Sequence, residues 1–193
     1  MRRPRPKLVK LETERFVLRT LKPSDVSDRY IAWAVDPDIM GPLNAPVRKL
    51  TVEGLSQHIR GFDNATRCLI GVFDASNDLH IGFYRLNMSL RHRNVTFTVV
   101  IGDKSYWGHK VVLETRAALL DHVFDARGME KAVGRPFARN FPAVFNYKAQ
   151  GWRLEGIMKG HARSVSDGSR LDQYQFGLLP DEWRARRNTG AGA

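Results

Sequence analysis

The chain has a single cysteine, Cys68, among its 193 residues. An internal disulfide is therefore excluded, and a lone thiol fits the reducing cytoplasm. No apolar run reaches the length of a membrane span, and the first residues lack the apolar core of a signal peptide. His58, His80, His92, His109, His122 and His161 have no metal-ligand spacing with one another or with Cys68, so no metal site is expected. There is no Gly-x-Ser-x-Gly elbow, which argues against a serine hydrolase of that type. Gly102 to Lys110 fails as a phosphate loop, because five residues separate Gly102 from Gly108 and His109 precedes the lysine. Cys68 lies in an apolar run and reads as a buried structural thiol.

Acidic residues are also in short supply: 20 Asp and Glu stand against 31 Lys and Arg, a formal charge of +11. Residues 1–10 hold five positive charges and no acid, and residues 181–193 contribute +1, which leaves +5 for the body. Nearly half of the excess thus sits in one N-terminal stretch, which reads as a flexible basic arm over 1–12. The body charge suits an anionic ligand. It does not by itself make a nucleic-acid binder, since no aromatic-interleaved basic motif or helix-turn-helix accompanies it.

What is present centres on Asn94 to Phe124. Val95, Phe97, Val99 and Ile101 alternate with Thr96, Thr98, Val100 and Gly102, the period of a strand. Leu113, Ala117, Leu120 and Phe124 recur at helical spacing and predict one buried helix face. Between strand and helix stands Tyr106-Trp107-Gly108-His109-Lys110. A helix start leaves amide groups unpaired at the positive end of its dipole, and after a tight turn those amides can hold a phosphate.

Around this unit the chain alternates strands and helices. Arg15 to Arg19 reads as a strand, and Ser24 as the cap of a helix that Pro37 ends. Thr51 caps a second helix running to about Phe62. Cys68 to Phe73, His80 to Met88, Lys131 to Phe137, Trp152 to Lys159 and Leu171 to Leu178 read as strands, with His161 to Arg170 as the last loop. Asn140 caps a short helix with Pro142 in its first turn. Trp183 ends the ordered part, and 184–193 reads as a disordered tail. No repeat or linker divides the chain, so a single mixed α/β domain is expected over 13–183.

Several segments together resemble the GNAT acyltransferases, closest to their RimJ/RimL branch. They are Thr13 to Arg19, Asp36-Pro37-Asp38, Ile101 to Gly108, Ala138-Arg139-Asn140, Tyr147 to Gly156 and Asp181-Glu182-Trp183, in the family's order. The resemblance implies a splayed mixed sheet holding acetyl-CoA, or another acyl-CoA, and transfer of the acyl group to a primary amine. It implies direct attack, with no metal and no covalent enzyme intermediate. It also implies that Val99, Val100 and Ile101 receive the pantetheine arm and that the turn through Trp107, Gly108, His109, Lys110, Val111 and Val112 receives the pyrophosphate. Asn140 then matches a cofactor contact, and Tyr147 matches the acid that protonates the leaving thiolate. Read alone, Asn140 is equally a helix cap and Tyr147 an aromatic packed beside Trp152.

Two departures stand out. Lys110 occupies the place of the family's central glycine and Val112 that of its last small residue, where glycine would let the backbone approach a phosphate closely. Thr96 stands where many members carry a glutamate base, which leaves His92, Asp36, His161 and Asp172 as alternatives. The acceptor pocket falls on 24–63 and 161–170. The expected partners are an acyl-CoA and an amine: a protein N-terminus, an amino sugar or another small molecule. A homodimer is compatible with this reading, while a membrane or nucleic acid is not expected. The competing reading is a GNAT-fold protein with an impaired pyrophosphate turn, acting in binding or regulation.

Overall fold

A computed structural model describes residues 7–189. Eight strands form one sheet in the order β1-β2-β3-β4-β5-β6-β8-β7. They are β1 (Lys10–Glu12), β2 (Phe16–Thr20), β3 (Arg67–Asp74), β4 (His80–Ser89), β5 (Asn94–Ile101), β6 (Lys131–Gly134), β7 (Arg153–Arg163) and β8 (Arg170–Leu178). The helices are α1 (Asp28–Trp33), α2 (Pro37–Met40), α3 (Val52–Arg60), α4 (Val111–Asp121), α5 (Phe141–Ala149) and α6 (Pro180–Asn188). The order of elements and the single mixed sheet agree with the α/β domain expected from the sequence.

Only β5 and β6 pair in parallel, joined by α4 as a crossover. Their pairing stops early: it runs from Asn94–Lys131 to Phe97–Gly134 and no further. Pro136 has no amide to extend a ladder. The chain instead stays with β8, where Tyr174 N–H donates to the Pro136 carbonyl and Phe137 bridges Gln173. The strand expected over Lys131 to Phe137 is thus cut short, and Thr98 to Ile101 of β5 face a gap where a neighbour would be.

Alternation along the strands feeds two cores. On one face, Ile70, Tyr84, Val95 and Phe97 pack with α4, α5 and α6. On the other, Leu69, Phe73 and Val100 pack with Tyr30, Trp33, Ile39, Leu55 and Ile59 from α1, α2 and α3. Thr51 caps α3 as expected, its hydroxyl accepting from Gly54 N–H at 3.0 Å.

Several boundaries differ from expectation, each for a local reason. Pro23–Asp25 form a tight 3-10 turn, so the cap of α1 is Ser27 rather than Ser24. α1 ends at Trp33, ahead of the expected stop at Pro37, which instead opens α2 under an Asp36 cap. β7 continues to Arg163, which shortens the last loop. The buried residues of α4 are Val111, Thr115, Arg116, Leu119 and Leu120, a face rotated from the expected one. The basic arm is not free along all of 1–12: Lys10 to Glu12 pair with β2, and buried Val9 donates its N–H to Thr20 Oγ1 at 2.8 Å. The C-terminal tail is helical through Asn188, with Trp183 fully buried and bonded to Asp121. Residues 1–6 of the arm and 190–193 of the tail lie outside the described residues.

Candidate active site

The site is built where β5 loses its neighbour. Beyond Phe97, β5 has no β6 partner, and Val99 to Ile101 lie along one wall of a cavity of about 450 Å³, where the Ile101 carbonyl is already taken by the Trp107 indole. Val99, Val100 and Ile101 form this wall; Gly108, Lys110, Val111 and Val112 close one end; Asn140, with Ala143 and Asn146 of α5, also lines the cavity, as do Ile39, Pro42 and Leu43.

The turn into α4 is shaped by two left-handed residues. Gly108 has φ +81°, and Lys110, the residue capping α4, has φ +58° and ψ +17°. The left-handed region costs a residue with a Cβ about 1–2 kcal/mol, so Lys110 adopts the backbone that the family's glycine would take, under strain. Its carbonyl accepts from Leu113 and Glu114, which starts the helix. The amides of Val111 and Val112 precede the first intrahelical bond and open at the cavity end.

A long-range network fixes this turn. Arg15 Nη2 donates to the His109 carbonyl at 3.0 Å, and Arg15 Nε donates to Glu114 Oε2 at 2.8 Å. The Thr13 hydroxyl and Arg15 N–H donate to Glu114 Oε1 at 2.7 and 3.0 Å. Burial pushes the Glu114 carboxyl up, but the Thr13 hydroxyl and the Arg15 amide and guanidinium outweigh it and hold it below the ordinary carboxylate range.

The expected site residues divide. Val99, Val100, Ile101, Trp107, Gly108, Lys110, Val111, Val112 and Asn140 all line the cavity. His109 and Tyr147 are not among the lining residues: the His109 carbonyl turns to Arg15, and Tyr147 is buried. Trp107 donates its indole N–H to the Ile101 carbonyl at 2.8 Å. Asn140 caps α5, accepting from Ala143 N–H at 3.1 Å, and its amide also donates to the Pro42 carbonyl at 3.2 Å. The cap therefore also ties the loop at Pro42 to the start of α5.

Tyr147 lies against Gly134, the last β6 residue paired with β5. A Cβ on Gly134 would come within 2.4 Å of the tyrosine hydroxyl, so only glycine leaves room. The Tyr147 ring stacks on Phe176 at 5.1 Å and meets Trp152 edge-on at 4.9 Å. Burial pushes the phenol up from its ordinary value, and the neighbouring Arg116 charge opposes that rise.

Of the base candidates, His92 sits in the turn at the other end of β5, roughly 24 Å along the strand from Ile101. His161 and Asp172 lie on the β7–β8 hairpin and do not line the cavity, and Asp172 Oδ1 is taken by Gly160 N–H at 2.7 Å. Thr96 is paired with Val133 in the closed part of the sheet. Asp36 caps α2 and is bridged by Lys104 at 2.8 Å, a hydrogen bond that lowers its pKa. The one carboxylate among the lining residues is Asp38, which Lys104 also reaches, at 2.7 Å. Sequence reading passed over Asp38, although it stands in the quoted Asp36-Pro37-Asp38 segment. It also passed over Arg116, because an arginine in a helix reads as surface.

Residues 15–151 match the acetyltransferase (GNAT) domain family, and the protein belongs to that family. It is accordingly an acyl-CoA-dependent N-acyltransferase. No curated protein sequence matches the chain. Among solved structures it is similar to a GNAT-family acetyltransferase from Bacillus anthracis, at 16% identity over 90% of this chain and 99% of that one, with a TM-score of 0.75. It is similar to spermidine N-acetyltransferase from Vibrio cholerae, solved with CoA and spermine, at 21% identity over 88% and 98% of the two chains, TM-score 0.77. A third is ribosomal-protein-S5-alanine acetyltransferase from Vibrio fischeri, at 19% identity over 91% and 98%, TM-score 0.70. At these identities the likeness is one of fold.

Proposed function

We propose that the protein transfers an acetyl group, or another short acyl group, from CoA to a primary amine by direct attack, as a RimJ/RimL-like cytoplasmic enzyme. The observation that carries this reading is a continuous path. It begins at the amides that open α4 and follows the edge of β5 that β6 leaves free; Gly134, against which Tyr147 is packed, is the last β6 residue before the two strands part. The fit to an acyl-CoA rests on that edge and on the left-handed Gly108 and Lys110, which keep the turn open. Lys110 taking a glycine-like backbone favours the active enzyme over the impaired-turn reading.

In this reading, Val111 and Val112 amides and the Lys110 ammonium hold the pyrophosphate. Val99 and Ile101 offer backbone groups to the pantetheine arm, as an edge strand would to a neighbour. The bound acyl-CoA supplies a thioester carbon open to attack and a thiolate leaving group. Asp38 faces the acceptor at the cavity and orients its amine, with deprotonation by the carboxylate or by water. Tyr147 holds the proton that the thiolate needs. The acceptor classes supported are a protein N-terminus, an amino sugar or another small amine. Support for the acceptor being cationic comes from the Asp36–Asp38 pair, whose carboxylates already bind one ammonium, that of Lys104.

Calorimetry with CoA and acetyl-CoA, followed by thiol release in the presence of an amine panel, tests the reading. Micromolar binding and amine-dependent thiol release are expected. Absence of binding at millimolar cofactor would return the impaired-turn alternative.

A further inference from the structure

Arg116 is a buried cation without an anion. It is 1% exposed, and among the described residues no carboxylate forms an ion pair with it. Its partners are neutral: Nε donates to Gln150 Oε1 at 2.5 Å and Nη2 to the Asn146 carbonyl at 2.7 Å. Gln150 is itself fixed, donating to the Leu113 carbonyl at 2.9 Å and accepting from Trp152 Nε1 at 3.3 Å. The guanidinium carbon lies 4.3 Å from the Tyr147 ring centroid and 5.3 Å from that of Trp152. A sealed charge is costly unless something compensates it, and an apolar residue on this helix face would fill the core without that cost. The placement makes sense if an anion forms beside it for part of a reaction cycle.

Two ionisable groups face Arg116. Tyr84, on β4, has its hydroxyl engaged with Thr115 Oγ1 at 2.8 Å and the Val112 carbonyl at 3.3 Å. Tyr147, on α5, is the other, and the remaining surroundings of its ring are Gly134, Trp152 and Phe176, none of them charged. We propose that Arg116 is a positioning residue whose charge stabilises the Tyr147 phenolate formed when Tyr147 gives its proton to the departing thiolate. The inference rests on the reading of Tyr147 as the acid.

The amine lone pair forms the new C–N bond at the thioester carbon, and the C–S bond breaks with its electron pair on sulfur. Sulfur takes the phenolic proton, and the acceptor nitrogen loses one proton to Asp38 or water. The Tyr147 phenolate then recovers a proton from water. A free phenol, at about 10, is a weaker acid than a thiol, at about 8.5, so donation is uphill without help. A buried ring makes it steeper, and a fixed cation on its face makes it shallower. The guanidinium needs no reorganisation, because Gln150 and Asn146 hold it before the charge appears.

The test reads Tyr147 ionisation directly. A fluorotyrosine at position 147 is titrated by fluorine NMR in the wild-type background, in Arg116→Gln and in Arg116→Lys. In Arg116→Gln the phenol should ionise at least one pH unit later, and in Arg116→Lys within about half a unit of the parent. Turnover should fall about 10–100-fold in Arg116→Gln with KM for acyl-CoA within about threefold, and the loss should vanish in a Tyr147→Phe background. An unchanged titration in folded Arg116→Gln overturns the proposal. Should that variant not fold, Arg116→Met, which removes the charge but fills the core, decides: a phenol ionising at least one pH unit later supports the proposal and an unchanged titration overturns it. If Arg116→Gln shifts the titration while Tyr147→Phe leaves turnover intact, the acid role of Tyr147 fails and the pairing of Arg116 with Tyr147 stands.

Discussion

Arg15 and Glu114, 99 residues apart in sequence, meet at 2.7 Å, and the same guanidinium holds the carbonyl of His109. The bend before β2 thereby fixes the turn that leads into α4 at the end of the cavity. The pair is partly exposed, so its direct worth to stability is small, roughly 0.5–1 kcal/mol after solvent screening. Its effect on binding should be larger, because a loosened turn misplaces several amides together. Arg15→Ala is expected to weaken CoA binding about tenfold while the melting temperature falls by only a few degrees. Equal CoA affinity in the variant would separate the network from the site. Glu114 is held below its ordinary range, so the stabilisation is present above about pH 4.5 and disappears as pH falls through the folded value.

Lys110 combines a strained backbone with a charge at the cavity end. Lys110→Gly should relieve the left-handed strain and offset that gain partly through unfolded-state entropy, a net stabilisation of about 0.5–1 kcal/mol. Lys110→Ala keeps the strain and removes the ammonium. It should weaken CoA binding by about 1–2 kcal/mol at low salt, and by less as salt rises. Tighter binding by Lys110→Gly, with no loss in Lys110→Ala, would show that the side chain obstructs the turn rather than serving it.

Tyr147→Phe removes a hydroxyl that has no protein acceptor of its own among the hydrogen bonds of the described residues. Stacking on Phe176 and the contact with Gly134 survive the change. Turnover should drop on the order of 10–10³-fold with CoA affinity nearly unchanged. An unaltered rate of the chemical step in single-turnover kinetics would take Tyr147 out of the reaction.

His80 governs part of the acid sensitivity of the fold. Its ring stacks on Phe73 at 4.7 Å and lies about 5 Å from Tyr30 and Trp33. Burial lowers its pKa from 6.5 to about 4, opposed by the Gly82 backbone and the Asp25 charge and aided by the Arg19 charge. Between those values the unfolded chain binds the proton and the folded chain does not, so stability falls as pH drops from 6.5 towards 4. The loss is on the order of 3 kcal/mol. His80→Phe should flatten the denaturation midpoint across this window, and an identical pH profile in both proteins would contradict the assignment.

The alternation of Val95, Phe97, Val99 and Ile101, the caps at Thr51 and Asn140, and the stop after α4 were legible because strands, caps and turns are set by neighbours in sequence. The order of these elements, with the motif at Trp107-Gly108, was enough for the fold class and for most of the cavity wall. Tertiary structure alone decided where β5 parts from β6, since that depends on Pro136 denying an amide to one neighbour while its carbonyl serves another. It decided that Lys110 takes the left-handed backbone of a glycine, held by Arg15 from the far end of the chain. It chose Asp38, rather than the histidines, as the carboxylate at the cavity. It also turned Arg116 inward. An arginine on a helix reads as surface until neutral acceptors and aromatic faces from other segments close around it, and such long-range surroundings leave no periodic trace in the sequence.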